Sequence, residues 1–252
     1  MAIIITLIAG LSTVIGALLV SHVRKNSFEA ISLAFATGIM LMIGIGELLP
    51  EAMIALNVPL TMILFIIGAL LSLVLDLIIP HHHEHEVDEA LEEPGHFIDD
   101  CECNHKNSVS RGMIVALILH NLIEGIAMGL TAVSDMRLGI SMAIGIALHN
   151  IPIGATLAIS IKAAGEKQTR AVLASVFVGL SQPLGALAGL LLFKGPNMEG
   201  ALSALMAVVA GILVFISFDE LWPAARLNGS RKTTIIALLA GICFIPVAEM
   251  LI

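Results

Sequence analysis

Charged side chains are scarce in this chain of 252 residues. Asp, Glu, Lys and Arg together make up 13% of the sequence, whereas a soluble domain carries about a quarter. Hydrophobic residues make up 58%, and the mean hydropathy is +1.01. This composition excludes an ordinary soluble domain and predicts an integral membrane protein surrounded by a lipid bilayer.

Aromatic residues and cysteines are also few. There is no Tyr, there is one Trp, and aromatic residues make up 4% of the chain. Without a basic patch or an aromatic stacking platform, no nucleic-acid partner is expected. Three cysteines are too few for a disulfide framework. Cys243 falls in an apolar run and is interpreted as an inert core thiol.

Two catalytic signatures are missing. The sequence contains neither the His-Glu-x-x-His of helical zinc proteases nor a Gly-x-Ser-x-Gly nucleophile motif. An intramembrane metalloenzyme is therefore the weaker alternative, and the chain is not expected to be an enzyme. The first apolar run has no basic leader and no Ala-x-Ala cleavage site, so it is interpreted as a retained helix.

Long apolar runs dominate what the sequence does contain. A helix needs about 20 residues to cross a hydrocarbon core of ~30 Å. Eight runs are long enough: Ala2–Ser21, Glu29–Ala52, Leu60–Pro80, Met113–Ser134, Leu138–Ala163, Ala171–Phe193, Gly200–Pro223 and Thr234–Ile252. We therefore predict an all-α polytopic membrane protein with eight transmembrane helices.

The basic residues predict the orientation of these helices. Ten of the twelve fall on one side of the membrane, and two, Arg137 and Lys194, fall on the other. By the positive-inside rule, the loops after helices one, three, five and seven are cytoplasmic. Both termini then face the outside.

Polar residues inside two of the runs form a repeat. His120-Asn-Leu-Ile-Glu-Gly125 in helix four is followed by His149-Asn-Ile-Pro-Ile-Gly154 in helix five. Helical spacing places His120 and Glu124 on one face, and ionisable residues inside a membrane are costly and usually functional. Imidazole and carboxylate groups suit zinc, iron, manganese and related ions. The pattern predicts a metal site inside the bilayer.

The same repeat predicts the topology. Helices four and five are joined by a short loop and run antiparallel, as the counterparts of an inverted repeat do. Three helices remain on either side, in a 3+2+3 arrangement. The chain then divides into residues 1–80 with helices one to three, 81–112 as a loop, 113–163 with helices four and five, and 164–252 with helices six to eight.

The loop is acidic and rich in metal-binding side chains. Residues 81–112 contain nine acids and two bases and show no sustained apolar period, so the loop is predicted to be cytoplasmic and largely disordered. A regulatory or metal-buffering role is favoured over weak, non-selective binding. The candidate ligands are His81, His82, His83, His85, His96, Cys101, Cys103 and His105.

Five segments resemble the ZIP family of metal transporters, of the bacterial GufA-like type. The two His-Asn motifs are similar to the family's paired motifs in helices four and five. The other similar segments are Gly38-Ile-Met-Leu-Met-Ile-Gly-Ile-Gly-Glu-Leu-Leu-Pro-Glu-Ala52, Gly179-Leu-Ser-Gln-Pro-Leu-Gly-Ala186 and Asp219-Glu-Leu-Trp-Pro-Ala224. The His-rich loop is also a family feature.

The resemblance implies a function and a set of ligands. It implies eight helices, a homodimer in a bacterial or archaeal cell membrane, and metal uptake toward the cytoplasm by an elevator-like motion. It implies a binuclear site between helices four and five. His120 and Glu124 would be metal ligands, with His149 opposite. The side chains that match a second metal position are Asn121, Asn150 and Gln182.

Three residues depart from the family pattern. Ile153 and Gln182 stand where the family has Glu, and Ile123 replaces a Pro. Two divalent ions beside one remaining carboxylate would leave a large uncompensated charge in a low dielectric. The hypothesis is therefore that the central site holds one ion, with zinc preferred over iron, manganese, cobalt or cadmium. A non-transporting metal sensor is the alternative.

Other acids are candidates for the path of the ion. Glu47 and Glu51 lie near the end of helix two, and Asp219 and Glu220 lie near the end of helix seven. Asp76 directly precedes the His-rich loop. Each of these carboxylates is either part of an access path or a solvated helix-end residue.

Overall fold

The computed structural model describes residues 1–20, 26–78, 99–193 and 198–250. Within these ranges the chain forms eight long helices, which we number α1 to α8. Six are α1 Ala2–Leu19, α3 Val58–Ile78, α4 Asp99–Ser134, α5 Met136–Ala163, α6 Gln168–Leu192 and α8 Arg231–Glu249. The described residues include no strand, in agreement with the predicted all-α class.

Helices α2 and α7 each contain a π-helical segment. α2 consists of Asn26–Leu41, the π-helix Met42–Leu48 and Leu49–Ala55. α7 consists of Met198–Ile216, the π-helix Ser217–Leu221 and Trp222–Asn228. A proline follows each π-helix, in Glu47-Leu-Leu-Pro50 and Glu220-Leu-Trp-Pro223. π-Helical turns are rare and are often found at functional sites.

All eight helices are long and apolar enough to cross a membrane, which confirms the predicted spans. The fourth span begins at Met113 as predicted, but helix α4 itself begins at Asp99, so the prediction of disorder is wrong for residues 99–112. Residues 79–98 lie outside the described part. At the other end of α4, the Asp135 side chain accepts hydrogen bonds from the backbone N–H groups of Arg137 and Leu138 and caps α5.

The helices pack as two groups of four. One group contains α1, α4, α5 and α6, whose closest pairs are α1 with α5 and α4 with α6. The other contains α2, α3, α7 and α8, in which α2 packs against both α7 and α8 and α3 packs against α7. The groups meet mainly along α2 and α5. Helices α4 and α5, which carry the paired motifs, therefore belong to the same group.

An internal repeat beyond the His-Asn motifs accounts for this pairing. Gly10-Leu-Ser in α1 recurs as Gly179-Leu-Ser in α6, and a Gly-Ala-Leu follows in both helices. The repeat-related Gly10 and Gly179 pack against each other, backbone to backbone. The two helices run in opposite directions because four helices, α2 to α5, lie between them in the chain. This is the relation predicted for inverted repeats.

Glycines at matching places bring the paired helices into close contact. A Cβ at Gly16 of α1 would overlap the carbonyl of Ile151 in α5, and a Cβ at Gly185 of α6 would overlap the carbonyl of Leu122 in α4. The same equivalence holds in the second group, between the pairs Gly38–Leu238 and Gly211–Phe65. Small residues thus set the helix separation in both groups.

Candidate metal centre

Three buried side chains converge where α4 and α5 meet. The Glu124 Oε1 atom lies 3.2 Å from His120 Nε2 and 3.1 Å from His149 Nε2. The two imidazole rings are 6.1 Å apart between centroids. The exposed fractions are 7% for His120, 2% for Glu124 and 0% for His149. Within the part of the chain that the structure describes, these three form the group of His, Cys, Asp or Glu residues able to share a metal ion.

The sequence places each ligand by a simple rule. His120 and Glu124 are one helical turn apart on α4, and His149 is the α5 counterpart of His120. Gly125 and Gly154, the last residues of the two motifs, let the backbones of α6 and α1 approach from behind: a Cβ at Gly125 would overlap the carbonyl of Gln182, and one at Gly154 that of Thr13. The ligands therefore sit on a closely packed, rigid support.

The donor set fits a zinc-like ion. Both ring nitrogens of each histidine and both oxygens of Glu124 are buried, and none of them makes a well-formed hydrogen bond. Buried polar atoms without partners are costly, and a cation would satisfy them. Two imidazoles and one carboxylate leave an open fourth position at a tetrahedral zinc, the arrangement of sites that exchange a ligand.

The three amides predicted to match a second metal position lie beside this cluster. Asn121, Asn150 and Gln182 are fully buried. The NH₂ groups of Asn121 and Asn150 donate to backbone carbonyls, and that of Asn150 also donates to the side-chain oxygen of Gln182. A metal-binding role for the three stays a prediction.

Neither of the two positions where the family pattern has Glu carries a carboxylate in this chain. Ile153 is 5% exposed and belongs to the hydrophobic core. Gln182 contributes a neutral amide from α6. Of the three residues in the cluster, Glu124 alone carries a carboxylate.

Three of the proposed path residues, Glu47, Asp219 and Glu220, lie in the two π-helices, and Glu51 lies in the segment directly after the first. Glu47 is buried and accepts a hydrogen bond of 3.4 Å from the Ser141 hydroxyl of α5. Glu51 is exposed, whereas Asp219 and Glu220 are half-buried. Glu220 lies close enough to His120 to interact with it electrostatically.

The remaining candidates cannot be placed at the side-chain level. Asp76 is part of α3, and Cys101, Cys103 and His105 are part of α4, but their side chains lie outside the described part. The same holds for the whole of His81, His82, His83, His85 and His96.

Two features were not predicted from the sequence: the hydrogen bond from Ser141 to Glu47 and the Gly-Leu-Ser repeat that contains Ser12 and Ser181. Ser141 belongs to no recognisable motif. The sequence relates it to the site only because it precedes His149 on helix α5. Ser12 and Ser181 belong to the Gly-Leu-Ser repeat, which an internal alignment of helices one and six would have found.

Comparisons with known proteins agree with this picture. A family model described as ZIP zinc transporter matches residues 99–248. The chain is 36% identical to the zinc transporter ZupT of Chlorobium luteolum over 265 residues, which cover 100% of this chain and 97% of the relative. It is 32% identical to the ZupT of Clostridium perfringens, over 100% of this chain and 95% of that protein. For an Escherichia coli ZupT the identity is 34%, with 88% and 86% covered.

Proposed function

Because the chain belongs to the ZIP zinc transporter family, we propose that it carries zinc, or a related divalent ion, across the cell membrane toward the cytoplasm. The family consists of transporters, and the chain is not an enzyme. The observation that carries the proposal for this chain is the buried group in which Glu124 Oε1 lies 3.2 and 3.1 Å from two repeat-related histidines. Zinc leads the candidate ions, ahead of iron, manganese, cobalt and cadmium.

The site binds one ion at a time in this proposal. A dehydrated divalent ion is costly in a low dielectric unless negative charge lies beside it. Glu124 supplies one negative charge, and Ile153 and Gln182 supply none. A second ion would therefore be poorly compensated.

The two helix groups provide the motion. We propose that α1, α4, α5 and α6 carry the ion as a unit past α2, α3, α7 and α8. With the loops after α1, α3, α5 and α7 in the cytoplasm and both termini outside, α5 runs inward. Ser141 precedes His149, so its partner Glu47 lies on the outer side. Glu220, late in the inward-running α7, lies on the inner side.

Zinc flux into sealed proteoliposomes tests the proposal. Wild-type protein is expected to move Zn²⁺ into the vesicle, and His149→Ala and Glu124→Gln are expected to abolish both binding and flux. Ile146→Val, a conservative buried change on α5, is the matched control and should keep both. Retained flux in His149→Ala would contradict the proposed site.

The second candidate function is a metal sensor that binds without transport. The observation that favours it is the absence of a carboxylate at Ile153 and Gln182. In the same vesicles, Zn²⁺ binding that depends on His149 but without Zn²⁺ movement would support the sensor and exclude the transporter. Binding of a second copy, as in a homodimer, is compatible with either function.

A further inference from the structure

Each histidine of the metal centre is followed by an asparagine that contacts a helix behind the site. Asn121 of α4 donates from Nδ2 to the carbonyl oxygen of Val178 in α6, at 3.0 Å. Asn150 of α5 donates from Nδ2 to the carbonyl oxygen of Ala9 in α1, at 2.9 Å. Both asparagines are fully buried. Each bond therefore ties a ligand-bearing helix to its close-packed partner.

The two acceptors are equivalent in the internal repeat. Ala9 directly precedes Gly10-Leu-Ser, and Val178 directly precedes Gly179-Leu-Ser. The serines of these motifs donate to the same two carbonyls, Ser12 to Ala9 and Ser181 to Val178, each at 2.6 Å. The repeat in α1 and α6 and the His-Asn repeat in α4 and α5 follow the same inverted-repeat relation. That both repeats meet at these bonds indicates that the bonds are a feature of the fold.

The acceptors also fix the orientation of the amides. A backbone carbonyl accepts and cannot donate, so each asparagine must present its NH₂ group to it. The NH₂ of Asn150 also donates to Gln182 Oε1, at 3.1 Å. Gln182 is left with its Nε2, a donor that cannot bind a cation. One of the three side chains predicted to hold a second ion therefore uses its oxygen elsewhere.

We propose that Asn121 and Asn150 are positioning residues and not metal ligands. By tying α4 to α6 and α5 to α1, they set the separation of His120 and His149 around Glu124. This inference rests on the proposed metal site. The competing role is coordination through the Oδ1 atoms, which have no hydrogen-bond donor, and the experiment must separate the two.

Substitution of either asparagine by aspartate should lower Co²⁺ affinity if the residue positions the histidine, and raise it if the residue is a metal ligand. Asn121→Asp and Asn150→Asp keep the shape and an oxygen but remove the donor, and they turn a carboxylate toward a carbonyl. A positioning residue then loses its bond, and Co²⁺ affinity should fall about 10-fold, as when a residue that orients a ligand is removed. A ligand would gain negative charge and bind Co²⁺ more tightly. The probe is Co²⁺ titrated into purified protein in detergent, followed by its d–d absorption.

Alanine variants keep the test decisive where an aspartate variant does not fold. Asn121→Ala and Asn150→Ala should lower Co²⁺ affinity while the d–d bands keep their position and intensity, because the coordinating atoms are unchanged. Altered bands, or tighter binding in an aspartate variant, would overturn the proposal. Loss of thermal stability with unchanged affinity would also overturn it, since a purely structural role predicts that result.

Two controls complete the design. Ser12→Ala and Ser181→Ala remove a donor from the same carbonyls without breaking a contact between helices, so affinity and spectrum should match wild type. A tenfold loss of Co²⁺ affinity in these variants would contradict the proposal. It would show that affinity depends on a hydrogen bond within α1 or α6 and not on the contact between helices. His149→Ala tests the metal site itself: Co²⁺ binding that survives there refutes the proposed site, whatever the asparagine variants show.

Discussion

Single side chains set the charge of the candidate metal centre, and with it the number of ions that we propose it holds. His120 and His149 are repeat-related and lie on either side of Glu124 Oε1, yet the counterpart of Glu124 in α5 is Ile153. The internal symmetry is thus complete for the histidines and asparagines and broken for the carboxylate. These identities were readable from the two motifs, because helical spacing fixes which residues share a face.

Restoring the carboxylate tests this asymmetry. Ile153→Glu should raise the zinc content of the purified protein from one ion to two, because the second carboxylate compensates the added charge. Without metal the variant should be less stable, since an acid at a 5% exposed position is poorly solvated, and Zn²⁺ should restore its thermal stability. Ile153→Gln, similar in shape but neutral, should hold one ion. Metal counting by mass spectrometry decides, and one ion in the Glu variant would contradict the charge argument.

At the scale of the helix, close glycine contacts explain why the ligands are held in place. Hydropathy predicted all eight spans because the bilayer selects length and apolarity. It did not predict the start of α4 at Asp99, because the first residues of this helix are polar in sequence. Nor could hydropathy show which helices pair, since pairing depends on Gly-Leu-Ser and glycine positions that are far apart in sequence.

Substitution of repeat-related glycines by alanine should therefore lower thermal stability to a similar extent. Gly16→Ala and Gly185→Ala place a methyl group against a backbone carbonyl of α5 and α4 respectively, and overpacking of this kind costs about 1–3 kcal/mol. Both variants should unfold at a lower temperature than wild type in detergent, as measured by circular dichroism. Gly200→Ala is the matched control, because a Cβ there meets no atom within 4 Å. Equal midpoints in all three variants would contradict the packing argument.

Within the described residues, the two four-helix groups meet through apolar side chains around Gly145 and through the Ser141–Glu47 hydrogen bond. Gly145 of α5 faces Ile39 and Ile43 of α2 and Ile245 of α8. At Gly145 the nearest atoms belong to side chains, whereas at Gly16, Gly38, Gly185 and Gly211, which lie inside the groups, they are backbone atoms. Backbone contacts hold the helices of a group together, whereas the contact at Gly145 between the groups involves side chains. This difference suits movement of one group past the other. The sequence motifs carried no sign of this difference, because it depends on which atoms meet across long sequence distances.

A larger side chain at Gly145 should hinder this movement and spare the metal site. In Gly145→Val, the added atoms would meet Cδ1 of Ile245 and Cδ1 of Ile43, both 2.7 Å from a Cβ at that position. Gly145 lies one turn before His149 and contributes no ligand atom, so equilibrium Zn²⁺ binding should match wild type. Zinc flux into proteoliposomes should fall about tenfold if the added atoms raise the barrier to movement of the two groups by about 1.4 kcal/mol. The double variant Gly145→Val with Ile245→Val returns space on α8 and should recover flux. Unchanged flux in Gly145→Val with intact binding would show that the two groups do not slide across this contact.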